Sequence, residues 1–365
     1  MKQEQLVISY PRMGNYHIPI ERALSILFPD AEVLPPLPIT AKTLELGSKY
    51  SPESVCSPFK FNVGNFIEAL EQGSNVLLQT GLGCIFGYYG ELQEQILKDL
   101  GYDFHFLCFS RGNVSINRAF KTYRELGGGR SLSTLARTTL YVLGSMRAMD
   151  RFEYTMRENM AFETYVGAHA ALHNKLLDDL REVSIGGLAS LWQHYRRELS
   201  NIALEKPNNR LRIGLVGDLY TLMEPCACFN LEHELINSGC SISRKMNASF
   251  LCGSHKKASL HTAKDYLTRS PGANGADSVA QTVAYARLGY DGIIHMKAFG
   301  CTPELNATPA LNNVSRDMGI PILHLSFDTH TGETGMQTRL EAFIDMLKMR
   351  KNGIPRFVCN SEGLV

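Results

Sequence analysis

Short apolar runs alternate with helical stripes twice along this chain, once before residue 110 and again after residue 210. That double rhythm constrains the fold more than any other feature. In the first stretch, Leu6–Tyr10, Ala31–Leu34, Asn75–Gln79 and Asp103–Phe109 read as strands, and Pro19–Phe28, the stretch from Cys56 to Glu71, and Glu91–Leu100 as helices. Pro35, Pro36 and Pro38 stop regular structure between them. In the second stretch the strands are Leu211–Val216, Ser241–Lys245, Gly292–Met296 and Ile322–Ser326, set among helices at Asn230–Asn237, His255–Leu267, Ser278–Leu288, Glu304–Met318 and Arg339–Met349. Strand, helix, strand in succession implies parallel pairing, because a parallel partner needs a long crossover. Leu132–Leu204 carries helical periodicity and little strand signal, so it reads as a helical arm between the sheets or a dimer contact. The fold class is therefore α/β, with two parallel-sheet domains and a helical connecting segment. The expected boundaries are 1–130, 131–208 and 209–365.

Length supports two domains, since 365 residues exceed one ordinary core. Lys plus Arg number 37 against 36 Asp plus Glu, so no overall charge drives the chain toward nucleic acid or an anionic membrane. The start lacks an apolar signal region and no run spans a bilayer, so the expectation is a cytoplasmic protein with no nucleic-acid or membrane partner. Nine dispersed cysteines in a reducing compartment argue against a disulfide framework. They leave buried thiols, metal ligands or redox thiols.

Three of these cysteines share a setting. Cys301 follows the Gly292–Met296 strand through Gly300 and precedes Pro303 and Glu304, which open a helix. Cys56 precedes Pro58 at a helix start, and Cys84 follows the Asn75–Gln79 strand in a glycine-rich loop. Such turns free backbone N–H groups that stabilise thiolates and cluster sulfides. Three thiolates would leave one iron of a cluster open to a small ligand, whereas four would close it. A single cysteine is more often a buried thiol, and no compact CxxC pair is present. Cys226-Ala-Cys228, in the loop after the Leu211–Val216 strand, offers possible additional ligands, with two core thiols as the plainer reading. Cys108 reads as core. Cys240, Cys252 and Cys359 have no supporting context.

Gly81-Leu-Gly83 resembles a dinucleotide loop, but Phe86 stands where the last glycine belongs. Neither a P-loop nor an HExxH is present. His295 reads as a satisfied core histidine. Asp328, His330 and Glu333 follow the last strand and, with Glu304, are the candidates for acid–base work. The alternative for the 328–333 loop is a polar turn with a helix cap. Lys60 shares the helix face of Cys56, and reads as a solvated lysine or as a partner for an anion.

CSPFK at 56–60, the Cys84 loop running into GYYGELQEQIL, GDLYTLMEP, AFGCTPE at 298–304 and the tail ILHLSFDTHTGETGMQTRLEAFIDML resemble the 2-hydroxyacyl-CoA dehydratase component family. The nearest branch is the CoA-protein-activase-like, acyl-CoA dehydratase activase-related group. The resemblance runs from about residue 5 to 350 and is strongest after 210. It implies two flavodoxin-like domains with an iron–sulfur cluster between them, [4Fe–4S] in the dehydratases and a double cubane in a relative. The carried-over ligands are Cys56, Cys84 and Cys301. It also implies an ATP-dependent activase or another low-potential electron donor as partner, a dimer (homo- or heteromeric), and an acyl-CoA or small-molecule substrate. Cys226 and Cys228 depart from that branch. There is no ATP-binding activase domain and no CoA-binding signature in this chain.

Three functions follow as alternatives. The first is an iron–sulfur enzyme of the 2-hydroxyacyl-CoA dehydratase type, a lyase or a reductase, performing low-potential reductive or radical chemistry. The second is a non-catalytic electron-transfer or assembly partner of such a system. The third is a metal-free α/β binding protein.

Overall fold

The computed structural model describes residues 5–81, 89–110, 121, 124, 129–251 and 256–353. In chain order the first part runs β1 (Val7–Ser9), α1 (His17–Leu27), β2 (Glu32–Val33), α2 (Ala41–Tyr50), α3 (Ser57–Glu71), β3 (Val76–Gly81), α4 (Tyr89–Asp99) and β4 (His105–Ser110). Three long helices follow: α5 (Leu132–Asn159), α6 (Ala168–Glu182) and α7 (Leu188–Asn201). The last part holds β5 (Leu211–Gly217), α8 (Leu219–Met223), α9 (Leu231–Asn237), β6 (Cys240–Arg244), α10 (Ala248–Leu251), α11 (Lys256–Thr262), α12 (Gly275–Arg287), β7 (Gly292–Ala298), α13 (Thr302–Met318), β8 (Ile322–Phe327) and α14 (Glu333–Lys351).

Among the described residues these strands form two four-stranded sheets, ordered β2-β1-β3-β4 and β6-β5-β7-β8, with every pairing parallel. In each sheet the chain reverses its winding after the first strand. This is the flavodoxin-like order, and its switch point lies at the carboxyl ends of the two central strands. All seven residues of β7 are buried, as a parallel strand covered on both faces requires.

The prolines at 35, 36 and 38 delay regular structure only briefly. Thr40 and Thr43 form a reciprocal capping box that starts α2 at Ala41. α2 then lies against α3 at a contact with no room for a side chain. A Cβ on Gly64 would sit 1.8 Å from the Thr43 carbonyl oxygen, and one on Gly47 would sit 1.7 Å from that of Lys60. Thr43 Oγ1 donates to Glu68 Oε2 at 2.9 Å across the same contact.

The helical middle is packed on both sides. Met149 and Phe152 of α5 share an apolar cluster with Tyr16 and Ile18 from the first part. Toward the last part, Met223 and Ala248 join the same cluster and an ionic contact is added. Arg157 donates to Glu153 at 2.7 Å and to Glu232 of α9 at 2.6 Å, and Arg244 of β6 pairs with Glu232 at 3.0 Å. Burial alone would raise the Glu153 carboxyl, but Arg157, His173 and Arg244 hold it far below the usual carboxylate range.

Candidate functional site

The carboxyl ends of β3, β5 and β7 open onto one cavity of about 410 Å³. Cys56 and Cys301 both line it, although they lie at opposite ends of the sequence. Each sits as the residue before a helix, Cys56 before α3 and Cys301 before α13, and each helix has a proline in its first turn. Proline there needs no hydrogen-bond partner and starts the helix sharply. The result turns two helix N-termini, with their free N–H groups and partial positive charge, toward the cavity. Gly300 takes φ +78°, the left-handed turn that ends the β7 segment and delivers Cys301. The Cys56 Sγ lies 3.7 Å from the hydroxyl of Tyr89, the first residue of α4.

The Cys301 thiol is pushed well above the ordinary thiol range. Burial is the largest cause, followed by the carboxylates of Asp218 and Glu304. The Glu304 backbone N–H pulls the other way, and the nearby Cys56 adds a smaller upward push. A bound cation would reverse this balance, because it stabilises the thiolate that the carboxylates oppose.

Asp218 and Glu304 are held tightly. Asp218 caps α8 by accepting from Thr221 N at 3.0 Å, while its other oxygen accepts from Ala298 N at 2.6 Å. Burial and Glu304 raise its carboxyl above the ordinary value. Glu304 accepts from Ser278 Oγ at 3.1 Å and meets His295 Nε2 at 2.9 Å. His295 Nδ1 in turn lies 2.8 Å from His324 Nδ1. His295 is thus a core histidine with both ring nitrogens engaged.

Of the other sequence candidates, Asp328, His330 and Glu333 do not line the cavity. Asp328 accepts from Thr331 Oγ1 at 2.8 Å and from His330 N at 2.9 Å, closing a polar turn ahead of α14. Burial alone would raise the Asp328 carboxyl, but these hydrogen bonds and His330 leave it lowered. Cys226 and Cys228 also lie off the cavity lining. Cys226 packs against Tyr220 and Ile39, and Cys228 is buried in the second sheet's core with its thiol pushed up to about 12, chiefly by burial. Lys60 is buried rather than solvated, and its ammonium lies 3.7 Å from Glu53. Cys84 and the Gly83–Gly87 loop lie outside the described residues, as do Cys252 and Cys359. Gln79 on one side of that loop and Tyr89 on the other both line the cavity. Among the described residues no three His, Cys, Asp or Glu side chains converge as a metal site.

Asp218 was not singled out by the sequence reading. Its signal was the D-x-x-T spacing to Thr221 directly after a strand, a helix-capping pattern.

The family model of the 2-hydroxyglutaryl-CoA dehydratase D-component matches residues 146–347, more than half of the chain. The chain belongs to this family. The part matched to the dehydratase D-component runs from within α5 to α14 and includes Cys301, Asp218 and Glu304, but not Cys56 or Cys84. No curated protein matches the chain. A solved structure, the SBP FpvC from Pseudomonas aeruginosa in complex with Mn2+, is 10% identical and covers 96% of this chain and 98% of its own, with a TM-score of 0.22. So low a score carries no argument about fold or ligand. Among the described residues no helix of this dehydratase-family chain is long and apolar enough to cross a membrane.

Proposed function

We propose that the cavity between the two sheets holds an iron–sulfur centre on Cys56, Cys84 and Cys301, and that the protein performs reductive chemistry of the 2-hydroxyacyl-CoA dehydratase type. The observation that carries this reading is the meeting of Cys56 and Cys301 at one cavity, each at the N-terminus of a proline-started helix. The donor set fits such a centre: Cys56 and Cys301 line one cavity, and Gln79 and Tyr89, which flank the segment bearing the third cysteine in sequence, line it too. When bound, the centre would supply one-electron transfer at low potential and a metal position open to a substrate oxygen.

The chain's own residues prepare the site. The N-termini of α3 and α13 offer N–H groups to an anionic centre or substrate. Tyr89 stands within reach of the Cys56 sulfur. Glu304, fixed by Ser278 and His295, presents a positioned carboxyl beside Cys301. The cavity of about 410 Å³ leaves space for a small substrate group, which favours an enzyme over a simple electron carrier. An ATP-dependent activase or other low-potential donor, a dimeric assembly and a cytoplasmic setting belong to the same proposal.

The test is anaerobic purification with iron and acid-labile sulfide determination and EPR, alongside Cys301→Ser. About four irons per chain, lost in the variant, is the expected result for a single cubane. About eight would assign a double cubane instead. A chain that takes up no iron on reconstitution would remove the centre and leave a metal-free binding protein.

A further inference from the structure

A cavity more spacious than the cysteine cavity lies elsewhere. It measures about 1180 Å³ and opens between α5, α7 and the segment after β6. Its charged residues are Arg151, Arg196, Arg197, Lys245 and Asp150. Four cations thus face one carboxylate, in a chain whose overall net charge is only +1. None of the four cations forms an ion pair among the described residues. Asp150, by contrast, is fully engaged: it accepts from the Tyr16 hydroxyl and from Ser249 N at 2.9 Å. Unpaired cations gathered in a concave site cost free energy through mutual repulsion unless an anion joins them.

The cavity also has a planar, apolar component. Trp192, the sole tryptophan of the chain, lines it together with Phe250. Trp192 and Arg196 are one helical turn apart on α7, so they share a face. Arg151 of α5 lies over the indole, 5.9 Å from its centre. Guanidinium groups suit phosphate oxygens through their fork of donors, and a half-exposed indole suits a stacked base. The cavity is open toward solvent, and its volume of about 1180 Å³ leaves ample room for a nucleotide-sized ligand.

We propose that this cavity binds a nucleoside polyphosphate, its phosphates on Arg196, Arg197 and Lys245 and its base against Trp192. The site is separate from the cysteine cavity, though the two share a wall: Tyr16 lines one, Asp150 lines the other, and they are hydrogen-bonded. The proposal therefore goes beyond the iron–sulfur reading and does not depend on it.

The full chain is tested by equilibrium dialysis and by Trp192 fluorescence, with ADP, adenosine, coenzyme A and a single-stranded oligonucleotide as probes. ADP and coenzyme A should bind saturably below about 1 mM and change the fluorescence, with adenosine at least about tenfold weaker. Arg196→Ala with Arg197→Ala should weaken ADP at least about tenfold and lessen the salt dependence. Both side chains are exposed, so an unchanged melting temperature confirms the fold of the variant. Tighter binding of ADP assigns a free nucleotide, and tighter binding of coenzyme A assigns the nucleotide end of a larger cofactor. Absence of binding by both, equal affinity in the double variant, or preference for the oligonucleotide would overturn the proposal. Cys301→Ser should lose iron and keep nucleotide affinity, which separates this failure from failure of the cysteine site.

Discussion

The two sheets share a strand order yet furnish the cysteine cavity with opposite chemistry. The wall from the last part of the chain carries two carboxylates, Asp218 and Glu304. The wall from the first part carries none among the described residues. It offers Arg12, the amides of Asn62 and Gln79, Tyr89, and His17, whose pKa is lowered chiefly by burial. The sheets differ in build as well. β1 and β2 span three and two residues, whereas β5 and β7 span seven each. A common topology therefore sets where the cavity opens without setting the chemistry of its walls. A dipolar substrate entering this cavity would be oriented by the contrast between its walls.

The second sheet's ionic attachment to the helical middle is the first difference to break. Arg157→Ala would leave Glu153 and Glu232 to share Arg244, with His173 beside Glu153, so the buried network would be one cation short. The expected cost is about 3–5 kcal/mol, read as a lower denaturant midpoint. A smaller loss is expected from an apolar truncation between α5 and the first part, where packing around Met149 and Phe152 accompanies the Tyr16–Asp150 hydrogen bond.

The first part has its own weak point at α2 and α3. Gly64→Ala would force the helices apart, at about 1–3 kcal/mol, because the added methyl meets backbone rather than a movable side chain. Hydrogen exchange should show lost protection confined to α2 and α3. Protection lost equally in β5–β8 would mean that the two sheets unfold as one unit.

The smallest effect concerns pH. His324, behind the acidic wall, is pushed down to about 4 from 6.5 by burial first, then by His295, Lys297 and Arg339. Between those values the unfolded chain binds a proton that the folded chain refuses, so stability falls as pH drops from 6.5 toward 4. The ring is partly solvated, so the effect should be on the order of 1 kcal/mol. His324→Asn should flatten this limb of a melting-temperature profile, and an unchanged slope would assign the acid sensitivity to other groups.

Much of the fold was legible because each βα unit announces itself locally. Apolar runs marked all eight strands among the described residues, and helix-start prolines marked the turns at Cys56 and Cys301. α2 was not legible: Pro35, Pro36 and Pro38 outweighed the Thr40–Thr43 cap in a short polar segment. β7 also extends to Ala298, past the expected Met296, because Ala298 pairs in register with Phe327. At the site, cysteines beside helix starts could be named, whereas Asp218 was hidden as an ordinary cap. Asp328 and His330 looked equivalent to Glu304, since position after a strand does not say which way the following turn faces. The basic cavity was invisible for a different reason. Arg151, Arg196 and Lys245 come from three separate elements, and each reads alone as a solvated surface charge.

The Gly47–Gly64 contact has a consequence for how this sequence can drift. Each glycine faces the other helix's main chain, so no change on the opposite side chain can make room for a substitution. The two positions form a constraint that second-site replacements cannot relieve. Buried side chains around them in α3 can still trade volume with their neighbours, while any lineage that loses either glycine must move a whole helix, and with α3 the residue that precedes it, Cys56.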